Sequence, residues 1–391
     1  MALAPEGRKK PGFFELSLLA NHFPELHGAR VLAIVLVVQL HLTFALVEGG
    51  LPIDPRFGKL SATVFFGMDL FFVLSGFLIG TMLLHAQGSG SVLRFYARRS
   101  FRIFPLYYVA LAALLALYPL TAAQKQNLPY ELLYLTNYRV VLRETVVMMW
   151  GWSLCVEEHF YLAVPLLMAA LHALRSHRAR ISLLLLLWAS ALLVRVLILR
   201  SHDGAWDAGA FLQAIYIKTH TRYDTLVAGI LLAYLQHHFR ERIAELVGRR
   251  GVRLAIWTLT VICLLLLLSP QLFPSYFTYA VIAWGTLSTL LYVPSLLLLL
   301  NAQSGLSRFL SARRFLRVAT LGYGIYLWHV PVCEKLVVPL ARGAHVGMGL
   351  SMLIVWPLSL AALLCLSASV AYLTHVLVEK PALRLRDRVA A

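Results

Sequence analysis

The chain has 391 residues, of which 60% are hydrophobic and 14% charged, with 35 Lys and Arg against 18 Asp and Glu. Soluble domains run about 45–50% apolar and about 25% charged, so the balance excludes a disordered, collagen-like or disulfide-scaffold protein and argues against a soluble enzyme. The net charge of +17 would suggest a nucleic-acid binder in a soluble chain, but short cytoplasmic loops of membrane proteins collect Lys and Arg, and no nucleic-acid partner is expected.

Arg8, Lys9 and Lys10 precede an apolar stretch broken by Glu15 and His22, so no cleaved leader is expected. The first apolar span is expected over 30–48, with Arg30 at its start and His41 inside VVQLHLTF. Eleven residues is close to three helical turns, which puts both side chains on one face about 16 Å apart along the axis. An anion held at Arg30 could then extend toward chemistry at His41; the competing reading is a structural His bonded to a neighbouring helix. The second span, 60–84, holds Asp69 in GMDLFFVLSGFLIG. The third, 103–120, follows Arg98, Arg99 and Arg102. Arg99 and Arg102 share a helical face, and guanidinium forks suit phosphates, although spacing alone favours a positive-inside anchor on lipid head groups. The fourth, 150–171, opens on Trp152 and Ser153 and sets Glu157 beside Glu158. Only one of the two can face a given partner, and Glu157 shares its face with Ser153 and Tyr161.

The fifth span, 181–199, and the seventh, 252–268, contain Leu-rich runs suited to lipid or to a second copy of the chain, so an oligomer stays open. The sixth, 219–236, contains Arg222 and Asp224, which stand two apart and therefore need separate partners. An ion pair between helices is the commoner meaning of such residues. The eighth, ninth and tenth spans are expected over 276–300, 315–338 and 350–378, the ninth carrying Tyr326, Trp328 and His329. Placing the N-terminus in the cytoplasm puts most of the Lys and Arg residues in cytoplasmic segments. The expected architecture is an all-α membrane protein of about ten transmembrane helices in one bundle, N-in and C-in. A cytoplasmic segment 1–29 precedes the transmembrane domain 30–378, and a cytoplasmic tail 379–391 follows it. Cys155, Cys263, Cys333 and Cys365 sit singly in apolar stretches. No Gly-rich phosphate loop, nucleophile elbow or metal-ligand spacing occurs, and no metal is expected.

Seven segments in order resemble the acyltransferase 3 family of integral membrane acyltransferases. They are Arg30 with His41, GMDLFFVLSGFLIG at 67–80, RRSFRIFPLYY at 98–108, WSLCVEEHFYLAVPLL at 152–167, RYDTLVAG at 222–229, LGYGIYLWHVPV at 321–332 and VEKPALRL at 378–385. The resemblance implies a multi-pass protein of the cell's inner (plasma) membrane that moves an acyl group, usually acetyl, from cytoplasmic acyl-coenzyme A to a hydroxyl of a glycan or lipid-linked sugar. Many members carry a soluble hydrolase-like domain after the membrane part; none is expected in this sequence. His159 stands where the family usually has Gln.

Residues and resemblance together give a working site. Arg99 and Arg102 hold the coenzyme A phosphates, with Arg30 and Arg98 assisting. His41 is the base, since an imidazole titrates near neutrality. Glu157 is the first choice, and Asp69 the second, for the carboxylate that orients it. Trp152, Ser153, Tyr161, Arg222, Asp224, Tyr326 and His329 shape the substrate site. Direct transfer is favoured over an acyl-His41 intermediate. A transporter or flippase, with a charged path through His41, Asp69 and Asp224, is the rival class, and a non-catalytic membrane subunit is another.

Overall fold

The computed structural model describes residue 16 and residues 23–85, 91–204, 206–268, 276–302 and 304–389. The basic cluster Arg8, Lys9 and Lys10 lies outside them. Among the described residues the regular elements are all helical. In chain order the first half contributes α1 (Glu25–Glu48), α2 (Pro55–Thr63), α3 (Gly67–His85), α4 (Ser91–Leu117), α5 (Ala122–Leu132), α6 (Trp152–Ala173) and α7 (His177–Ser201). The second half contributes α8 (Ala208–Phe211), α9 (Tyr223–Gly248), α10 (Arg250–Leu268), α11 (Tyr276–Asn301), α12 (Gly305–Leu310) and α13 (Arg313–Val332). It closes with α14 (Val338–Arg342), α15 (Met352–Thr374) and α16 (Lys380–Val389).

Among the described residues, eight helical stretches are long and apolar enough to cross a membrane. The expected spans over 219–236 and 315–338 are helical, as α9 and α13, but they are not among the eight. Gln236, His237 and His238 cut the apolar length of α9, and Arg313, Arg314 and Arg317 that of α13. Those residues stay exposed or half-buried, while Asp224, Thr225, Thr320 and His329 are buried in the protein interior, where polar groups are tolerated in a membrane. α9 lies along α3 with the backbones in contact. A Cβ on Gly76 would run into the Leu226 carbonyl, and one on Gly229 into the Val73 carbonyl. Small residues at such a crossing are what let helices approach when no hydrophobic force drives them together. α13 packs on both α1 and α15.

Between α4 and α6 the chain doubles back, and its polar backbone is satisfied by side chains. Thr121 caps α5 in a capping box with Gln124. The Thr121 hydroxyl donates to the Glu144 carbonyl at 2.7 Å, Gln124 to the Arg143 carbonyl at 2.8 Å, and Asn127 to the Thr145 carbonyl at 2.9 Å. The buried Glu131 carboxylate accepts from the Val147 N–H. Tyr107 and Tyr108 of α4 donate to the Glu131 and Leu132 carbonyls at 2.9 and 2.8 Å. Tyr134, at φ 55°, turns the chain there and stacks on Tyr107 with ring centroids 4.2 Å apart. Buried backbone polar groups in an irregular segment need such internal partners. The turn delivers Trp150 and Ser153 to the centre of the bundle, where both are buried.

Candidate active site

α1 turns Arg30, Ile34 and His41 toward the interior at spacings of four and seven residues, which is one helical face. Two cavities lie along it. The first, about 230 Å³, is lined by Arg30 and Ile34 of α1, Ser75 of α3, Arg99 and Arg102 of α4, Ser153, Glu157, Glu158 and Tyr161 of α6, and Tyr323 and Tyr326 of α13. The second, about 80 Å³, is lined by His41 and Glu48 of α1, by Arg143 and Met149, and by Val330, Cys333 and Glu334.

Arg30, Arg99 and Arg102 therefore converge on one cavity although they come from two helices. The Arg99 guanidinium sits over the Tyr161 ring, 5.3 Å from its centroid. Arg102 is held from behind: Nη1 donates to Glu379 Oε2 at 3.3 Å and Nη2 to the Thr320 carbonyl at 3.5 Å. The same Glu379 oxygen meets His375 Nδ1 at 2.7 Å. The two residues are four apart and so are neighbours on one helical face, within a π-helical turn that spans His375–Glu379. Arg98 is exposed and does not line the cavity. Glu157 faces Arg99 and Arg30, with the Ser75 and Tyr161 hydroxyls in hydrogen-bonding reach, and those two hydroxyls are 3.0 Å apart.

His41 lines the other cavity, so it shares none with Glu157. The ring atom that meets it is His329 Nε2, 2.8 Å from His41 Nδ1. His329 is fully buried, and its Nδ1 lies 2.6 Å from the Tyr326 carbonyl. The Tyr326 hydroxyl donates to the Trp150 carbonyl at 2.6 Å and lies 2.5 Å from Ser153 Oγ. Ser153, Tyr326 and His329 thus stand between the two cavities. In the second cavity Arg143 bridges two carboxylates, Glu48 at 2.7 Å and Glu334 at 2.6 Å.

Asp69 lies away from His41. Its carboxylate pairs with Arg222 at 3.0 Å and accepts from Trp284 at 2.8 Å and Ser288 at 3.2 Å. The Arg222 guanidinium is enclosed by Phe72, Trp152, Tyr216 and Trp284, with ring centroids 4.1–4.9 Å away. Trp152 therefore packs on Arg222 and lines neither cavity. Asp224 pairs with Arg195 of α7 at 2.7 Å. Arg222 and Asp224 point to opposite partners, as their two-residue spacing requires, and both carboxylates that a carrier path would use are sealed in ion pairs.

Sequence reasoning missed three features. The first is Glu379 with His375 behind Arg102, for which the signal was the VEKP segment, four residues after a His on the same helix. The helix runs without a break across 378 and 379, with Glu379 and Lys380 buried. The second is the Arg143 clamp, whose members show no local pattern. The third is His329 as the partner of His41: an ionisable residue in the apolar run LWHVPV is a site signal by itself, but nothing in the sequence names its partner. His159 bonds Thr219 at 2.7 Å and lines neither cavity. Among the described residues no cluster of His, Cys, Asp and Glu could hold a metal ion.

Comparison with known proteins gives this architecture a family. The chain is 27% identical over 338 residues to a putative peptidoglycan O-acetyltransferase, YrhL, of Bacillus subtilis, covering 80% of this chain and 49% of that one. It is 26% identical over 335 residues to the peptidoglycan O-acetyltransferase OatA of Listeria monocytogenes, with 80% and 49% covered. A putative O-acetyltransferase of Staphylococcus aureus is 25% identical over 248 residues, covering 59% of this chain and 38% of that one. The chain spans about half the length of the curated relatives it matches. No solved structure matches it. The profile of the acyltransferase 3 family, described as an acyltransferase domain, matches residues 23–376. With nearly its whole length matched to that profile, the chain belongs to the acyltransferase 3 family.

Proposed function

We propose that the protein takes an acetyl group from cytoplasmic acyl-coenzyme A and transfers it to a hydroxyl of a glycan or lipid-linked sugar in the inner membrane. The observation that carries this reading is the convergence of Arg30, Arg99 and Arg102 on a cavity at one end of α1, with His41 about three turns along the same helix. With about ten spans and both termini cytoplasmic, the arginine cavity opens to the cytoplasm and the His41 cavity to the other side. The arginines bind the donor phosphates as bidentate forks. The thioester arm follows α1 toward His41, past Ser153 and Tyr326, whose hydroxyl contact must open to join the two cavities. The acceptor hydroxyl arrives through the cavity of Glu48, Arg143 and Glu334. His41 takes its proton, the oxygen attacks the thioester carbonyl, the C–S bond breaks, and the coenzyme A thiolate receives the proton from His41. The relatives' names support a glycan acceptor. Mass spectrometry of surface glycans from cells with and without the protein tests this directly: an acetyl-sized mass difference is expected, and identical glycans would overturn the acceptor assignment.

The donor half has its own test. Arg102→Ala is expected to weaken coenzyme A binding by about 10- to 150-fold, the loss of one charge-assisted contact of about 1.5–3 kcal/mol. Arg102→Lys restores only part of it, because the fork is lost. Glu379→Gln, which keeps the fold's shape and removes the carboxylate behind Arg102, weakens binding less than Arg102→Ala does. Isothermal titration with coenzyme A measures all three. Unchanged affinity in a monodisperse Arg102→Ala protein returns the arginines to a lipid anchor.

A further inference from the structure

We infer that His329 is the positioning residue that fixes the proton on His41 Nδ1 and so leaves Nε2 as the basic nitrogen. The inference rests on His41 being the base, and it follows from counting donors. The Tyr326 carbonyl can only accept, so the His329 nitrogen 2.6 Å from it, Nδ1, carries a hydrogen. A neutral imidazole has one N–H, so His329 Nε2 holds a lone pair. That lone pair faces His41 Nδ1 at 2.8 Å, which must then be the donor. Neutral His41 is left with its lone pair on Nε2.

A second contact on His41 agrees. The Val37 carbonyl, four residues back on α1, also faces the ring. A helical His reaches that carbonyl through Nδ1, as His85 and His172 do here at 2.7 Å. His41 is half-buried and lines the second cavity, while His329 is fully enclosed. The enclosed ring is the fixed one: the tautomer is set from the backbone of α13 outward, through His329, to the half-open ring.

The arrangement does the work that a carboxylate does in a Ser–His–Asp triad, where the second group fixes tautomer and orientation. It differs in charge. A neutral acceptor places no permanent anion beside His41 at membrane depth, where an unpaired charge is costly. It also explains why Glu157 and Asp69 are free to do other things, one beside Arg99 and Arg30 and the other on Arg222.

The test separates acceptor from shape. His329→Leu removes the lone pair and is expected to lower kcat by about 10²-fold or more, within the range of a lost general base, with the acyl-coenzyme A KM unchanged. His329→Gln can present its amide oxygen to His41 Nδ1–H and is expected to recover at least tenfold of that loss. A purely structural role would make the two variants equal. Nitrogen-15 NMR of the unmodified protein, with histidine labelled and His41 identified by its absence in His41→Gln, reads the tautomer without relying on any variant's fold: Nδ1 protonated and Nε2 bare is expected. A His41 protonated on Nε2, or a fully active His329→Leu enzyme, overturns the inference while leaving His41 as the base. An active His41→Gln enzyme instead overturns the underlying reading.

Discussion

His41→Ala is expected to abolish measurable acyl transfer while leaving expression, monodispersity and coenzyme A binding intact. The size follows from the role: a general base contributes about 10²–10⁴-fold. The separation from binding follows from geometry, because the three arginines line one cavity and His41 the other. His41→Gln isolates the chemistry. Glutamine retains a donor for His329 and fills much of the same volume, but it cannot take a proton from a hydroxyl. Both variants should therefore be inactive in a transfer assay with radiolabelled acetyl-coenzyme A. A His41→Gln protein that still transfers would reduce His41 to a structural partner of His329 and remove the proposed mechanism, although the family membership would stand.

The second large effect is on stability. Asp69→Ala leaves Arg222 buried without its carboxylate, and breaking such a pair from one side costs about 3–5 kcal/mol. Arg222 cannot escape to water, because four aromatic rings from α3, α6, α11 and the segment before α9 enclose it. Trp284 and Ser288 also lose their acceptor. The expected outcome is a protein that aggregates or melts far below the parent in detergent, followed by fluorescence-detected size exclusion. Replacing the pair together, Asp69→Leu with Arg222→Met, should recover much of the loss, since an apolar pair of similar volume often replaces a buried ion pair without penalty. If Asp69→Ala melts like the parent but fails in transfer, the carboxylate belongs to the reaction and the pairing with Arg222 is incidental.

How much of this was legible beforehand differs by feature. Helices over 30–48, 150–171 and 181–199 were readable from apolar length, because lipid demands it locally. The expected count of about ten exceeded the eight stretches that meet the criterion of length and apolarity among the described residues. α9 and α13 carry exposed His and Arg residues within their helical lengths, at His237, His238, Arg313, Arg314 and Arg317, so composition weighs them poorly. The common face of Arg30 and His41 was also readable, since helical periodicity is a property of neighbours in sequence. The orienting partner of His41 was not. Glu157 and Asp69 were reasonable choices by chemistry, yet the ring that meets His41 lies 288 residues away.

The sequence by itself determined the solvent, the helical architecture, the helical face that carries Arg30 and His41, and, through seven ordered segments, the family. Only the tertiary structure decided who pairs with whom: Asp69 with Arg222, Asp224 with Arg195, Glu379 with Arg102, and His329 with His41. The reason is physical. The pattern along one helix is set by residues three and four apart, which the chain holds together covalently. A contact between helices depends on their order, tilt and depth in the bundle, and one apolar span is as acceptable to lipid as another.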